Sequence, residues 1–109
     1  MIDWARVSEL REEIGAEDFN EVVELFLGEV AECLERLDQT AGPAELEADM
    51  HFLKGSALNL GFESFADLCQ SGETAAALGD TSTIDVAAVR TLFDQSKAAF
   101  DQSLDQMVA

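Results

Sequence analysis

From Phe19 to Leu37 an apolar stripe stands at Phe19, Val22/Val23, Phe26, Val30, Cys33/Leu34 and Leu37. Steps of three and four residues, kept up for about five turns, put all of them on one face of an α-helix and on no face of a strand. A helix with such a stripe must bury it against other helices. The rest of the chain repeats the pattern, with Val7, Leu10 and Ile14 before it, then Phe65, Leu68, Cys69, Ala75 and Ala76, and finally Val86, Val89, Phe93, Phe100, Leu104 and Met107/Val108. Strand-like alternation is absent.

The interruptions divide the chain into five helices. Asp3 is an N-cap candidate for a first helix of about Asp3 to Ile14, which Gly15 can end. A second helix starts between Ala16 and Asp18 and runs to about Thr40. Ala-Gly-Pro at 41–43 breaks the chain, and Pro43 suits the first turn of a third helix ending at Gly61. The fourth covers about Glu63 to Leu78, Gly79-Asp80-Thr81-Ser82 reads as a loop, and the fifth runs from near Asp85 to about Met107. Short connections between striped helices predict an all-α protein, an antiparallel up-and-down four-helix bundle with an additional short N-terminal helix, in one domain over residues 1–109.

Composition removes several functions. Six Lys plus Arg stand against 23 Asp plus Glu, a formal net charge of −17. That field repels nucleic acid and anionic membrane. No segment approaches the ~20 apolar residues of a membrane helix, and the charged start MIDWARVSELREE lacks the apolar run of a signal peptide. A cytoplasmic protein is expected. Cys33 and Cys69 lie on apolar stripes and read as buried free thiols. There is no Gly-rich nucleotide loop and no metal-ligand spacing, so neither a kinase nor a metal site is expected.

The chemistry concentrates in HFLKGSALNLG, residues 51–61, which holds the only histidine. With His51 at zero on a helical wheel, Leu46, Leu53, Ala57 and Leu60 fall between roughly 180° and 240° and form the core face. His51 therefore points to solvent. Lys54 and Gly55 flank it one turn on, at roughly 60° and 40° to either side, and Leu58 returns to within about 20° of the same line. A mid-helix Gly costs about 1 kcal/mol against Ala. Beside an exposed imidazole it leaves room for another molecule to approach. Lys54 offers a cation to a bound anion in a field that otherwise repels one.

His51-Phe52-Leu53-Lys54-Gly55-Ser56-Ala57, followed by Leu60-Gly61-Phe62, resembles the H-x-L-K-G-S-x-x-x-L-G signature of histidine phosphotransfer (HPt) domains of two-component phosphorelays. The resemblance implies that His51 is the phosphoacceptor, that Lys54 stabilises the phosphoryl oxygens and that Gly55 gives steric access. Ser56 stands at the family's small-residue position, in support at most. It further implies an imidazole-orienting residue 22 positions after the histidine, here Glu73. The partners it implies are response-regulator receiver domains, with a hybrid histidine kinase as a further one, and their Mg²⁺ would belong to the receiver; no cofactor is expected in this chain. Leu58, Ile14, Leu10, Leu27 and Gly28 are the candidates for an apolar docking patch. A monomeric phosphocarrier without enzymatic activity of its own is expected. The alternative is a helical adaptor that docks on a receiver or kinase without being phosphorylated.

Overall fold

The structure, a computed structural model, describes residues 1–37 and 42–108, with side chains described as far as Ser103. It contains α1 (Trp4–Ile14), α2 (Phe19–Arg36), α3 (Pro43–Leu60), α4 (Glu63–Ala77) and α5 (Val86–Val108). Among the described residues there is no strand, only an isolated bridge between Ile2 and Phe62. Helices α2 to α5 form the expected antiparallel bundle, and α1 packs on α2 and α3. Trp4 at the start of α1 stacks on Phe100 of α5, with ring centroids 5.7 Å apart.

The boundaries follow local chemistry where a capping residue is present. The Asp3 carboxylate accepts a hydrogen bond from the Arg6 amide at 3.2 Å and caps α1. Asp85 does the same for α5, accepting from the Ala88 amide at 3.0 Å. Pro43 occupies the first turn of α3. Gly61 closes α3 in a left-handed conformation (φ 76°), and a Cβ there would stand 2.7 Å from the Asp3 carbonyl oxygen. Two constraints thus demand glycine: the sign of φ and the N-terminal segment laid across the α3–α4 turn. The Asp3 amide donates to the Gly61 carbonyl at 2.7 Å, which fastens that segment.

The second helix ends earlier than its sequence predicts. Thr40, its expected last residue, lies outside the described residues, but helical structure already stops at Arg36, with Leu37 extended (ψ 120°). The cause is remote in sequence. The Arg90 guanidinium on α5 donates to the Leu34 carbonyl through Nε and Nη2 at 3.1 and 2.8 Å, and to the Leu37 carbonyl at 2.8 Å. It satisfies the carbonyls that an ending helix leaves open and places a cation at the negative end of its dipole.

The stripes meet in one core. Phe62, Phe65, Phe93 and Phe100 form a contiguous aromatic cluster with centroid distances of 5.4 to 6.2 Å. Cys33 and Cys69 are free and buried, as expected; burial pushes their thiols up to about 11 and about 12. At pH 7 both are protonated and behave as small apolar groups. The side chains of Leu104, Met107 and Val108, assigned to the last stripe, lie outside the described ones.

Candidate functional site

Leu46, Leu53, Ala57 and Leu60 are all buried, as the helical wheel requires, and they fix the rotation of α3. His51 is thereby turned outward, its side chain 71% exposed. The Glu73 carboxylate reaches the ring from α4, with Oε2 and Oε1 at 3.1 and 3.3 Å from Nδ1. Lys54 donates to the same carboxylate, Nζ to Oε1 at 2.8 Å. A second acceptor holds the ammonium: Gln70 Oε1 at 2.9 Å, while Gln70 Nε2 donates to Thr74 Oγ1 at 3.1 Å. The residues meet because 51 and 54 lie one turn apart on α3, and 70, 73 and 74 share a face of α4.

The approach of the two helices at this level depends on Gly72. A Cβ on Gly72 would stand 2.9 Å from the Met50 sulfur. Met50 and Gly72 are the chain neighbours of His51 and Glu73, so this close packing sets the distance across which the imidazole and the carboxylate meet. Gly55 is different. A Cβ there meets nothing within 4 Å, so close helix packing does not explain it, and the space beside His51 stays open to solvent.

Glu73 is only 18% exposed, Lys54 21%. The Lys54 hydrogen bond is the main reason that the Glu73 carboxyl is held below its usual range; the His51 bond adds to it, and partial desolvation opposes both. Glu73 is therefore a carboxylate at neutral pH and accepts from an Nδ1–H. An imidazole protonated at Nδ1 has its lone pair on Nε2. The arrangement thus orients an exposed imidazole from behind, through a carboxylate whose charge a lysine balances. Ala44, Glu47 and Ala48 border the ring in a shallow depression.

The expected docking residues separate. Leu58 is 54% exposed and stands on the His51 side of α3, as anticipated. Ile14 is half-buried against the core. Leu10 is only 6% exposed, packed inward with Val7, and is a core residue rather than part of a docking surface. Leu27 and Gly28 line a cleft between α2 and α5 together with Phe93 and Phe100. Neither is among the residues that border the His51 ring. Conversely, Phe52 is 40% exposed directly beside His51. Sequence reasoning passed over it as well as Gln70, Thr74 and Gly72. Phe52 and the i, i+4 pair Gln70/Thr74 could have been found from the helical wheel; the Met50–Gly72 contact could not.

The sequence model of a family described as the Hpt domain matches residues 21–109. Neither a curated protein nor a solved structure matches the chain.

Proposed function

This chain belongs to the Hpt domain family, and on that premise we propose that it is a phosphorelay intermediate in which His51 takes a phosphoryl group from a receiver-domain aspartate and passes it to another. Domains of this family are phosphocarrier modules of two-component signalling. The observation that carries the reading here is the exposed imidazole of His51 with its Nδ1 on Glu73. The Nε2 lone pair attacks phosphorus, an Nε2–P bond forms, and the P–O bond to the receiver aspartate breaks as the carboxylate leaves. The proton stays on Nδ1, where Glu73 stabilises the positive charge that the ring acquires. Onward transfer is the reverse, with a second receiver aspartate as nucleophile.

Phosphoryl transfer needs position and charge neutralisation more than covalent help. This chain supplies the nucleophile, and the receiver supplies the aspartate and Mg²⁺. Leu58, Phe52 and the open side of Gly55 provide the surface against which the receiver would seat. The chain works as a single cytoplasmic domain and as a monomer, with a hybrid histidine kinase as a further partner. No described helix is long and apolar enough to cross a membrane.

The test is transfer of label from a phosphorylated receiver in the presence of Mg²⁺. The label on the wild type should be acid-labile and base-stable, as a phosphohistidine is, and His51→Gln should take none while keeping its helical circular dichroism. Acid-labile label on the variant would refute the assignment. A wild type that binds receivers but takes no label from any of them would favour the adaptor.

A further inference from the structure

Lys54 has a more constrained position than a surface lysine needs. Its ammonium has three protons to donate. One goes to Glu73 at 2.8 Å and one to Gln70 at 2.9 Å. Gln70 is itself locked, because its Nε2 donates to Thr74 Oγ1 at 3.1 Å, which turns its carbonyl oxygen toward the lysine. An ion pair near the surface holds a long, flexible side chain poorly on its own, since ordering it costs rotamer entropy comparable with the gain. A second, oriented acceptor changes that balance. We propose that Gln70, braced by Thr74, is a positioning residue for the phosphoacceptor: it keeps the Lys54 ammonium on Glu73 and so limits how strongly the carboxylate draws a second proton onto His51.

The inference rests on the reading of His51 as phosphoacceptor and adds a residue to that site. A carboxylate at Nδ1 does two things to an imidazole. It selects the Nδ1–H tautomer, which frees Nε2. It also favours the imidazolium, which has no lone pair for phosphorus. A cation on the carboxylate weakens the second effect and leaves the hydrogen bond in place. The charged groups around the ring are Glu47 and Lys54 on α3 and Glu73 on α4. Lys54 is the single cation among them, so wherever its ammonium rests, the ring's proton affinity follows.

His51 is the only histidine in the chain, which makes ¹⁵N NMR titration of its ring unambiguous. Lys54→Met should move protonation of the ring to higher pH, because a cation that offsets the neighbouring carboxylate is removed. Gln70→Ala should move it by less, in the same direction, and Thr74→Val by less again. Because Gln70 acts through Lys54, the double variant Lys54→Met/Gln70→Ala should shift no further than Lys54→Met alone. A Gln70→Ala titration that overlays the wild type overturns the proposal, and so does an additive double variant. Phosphoramidate labelling of the wild type separates this from the parent reading. Absence of a phosphohistidine there overturns both, whereas a normal label with an unmoved titration overturns the role of Gln70 only.

Discussion

At the scale of the residue, Glu73 answers to two partners, and the two contacts separate by substitution. Glu73→Gln keeps an oxygen that accepts from His51 Nδ1–H but loses the charge; Glu73→Ala loses both. If orientation of the ring matters most, Glu73→Ala should slow transfer from a phosphorylated receiver by about tenfold, and Glu73→Gln by clearly less. Equal losses in single-turnover assays would mean that charge, not orientation, is what the carboxylate contributes. The sign of the pH effect follows from the direction of the Glu73 shift. Its carboxyl is held below the ordinary value, chiefly by Lys54. Its contribution to stability is therefore fully present above the unfolded carboxyl pKa of about 4.3 and is lost as pH falls through the lower folded value. Acid unfolding of Glu73→Gln should accordingly show a shallower dependence on pH in that window. That His51, Lys54 and Glu73 would stand together was legible, because 51 and 54 are one turn apart on one helix and the resemblance supplied the 22-residue spacing to Glu73 on the next. Gln70 was not singled out, because an exposed glutamine acquires meaning only through the lysine that faces it from another helix.

At the scale of the element, two mid-helix glycines make opposite predictions. A Cβ on Gly55 meets nothing within 4 Å, whereas one on Gly72 meets the Met50 sulfur at 2.9 Å. Gly55→Ala should stabilise the isolated protein by about 0.5–1 kcal/mol, the ordinary helix-propensity gain. It should also weaken productive encounter with a receiver, since the cleared space beside His51 shrinks. Gly72→Ala should destabilise by about 1–3 kcal/mol through overpacking and disturb the His51–Glu73 contact as α3 and α4 move apart. Thermal melts of the two variants decide both; a destabilised Gly55→Ala or a neutral Gly72→Ala would contradict this division. From sequence the two glycines look alike, and only the packing of α3 on α4 distinguishes them. The helix ends show the same contrast. Asp3, Pro43 and Gly61 announce their boundaries by local chemistry, and all three were legible. The end of α2 was not, because Arg90 makes it from 53 and 56 residues away. Leu10 illustrates how apolar spacing misleads: it marks a buried face equally well whether the neighbour is the chain's own core or a partner.

At the scale of the whole molecule, the charge of −17 sets how the parts are held together. The molecule measures 45 × 21 × 20 Å. At 0.01 M salt the Debye length is about 30 Å, longer than two of these dimensions, so each carboxylate feels most of the others; at 0.15 M it is about 8 Å, and only neighbours count. Self-repulsion of this kind opposes the compact state. Salt also screens favourable pairs, but few are available to lose. Arg6 with Glu9 and Glu13, each at 3.4 Å, and Lys54 with Glu73 are exposed or partly exposed pairs, each worth no more than about 1 kcal/mol. The repulsion summed over so many uncompensated charges outweighs them. The melting temperature should therefore rise between 0.01 and 0.15 M NaCl, by about 4–8 °C for each kcal/mol of repulsion removed. A melting temperature that falls over this range would mean that the few ion pairs dominate. In that case the acidic surface would have to be arranged so that its charges avoid one another, and the Lys54–Glu73 pair would gain a structural weight beyond its place beside His51.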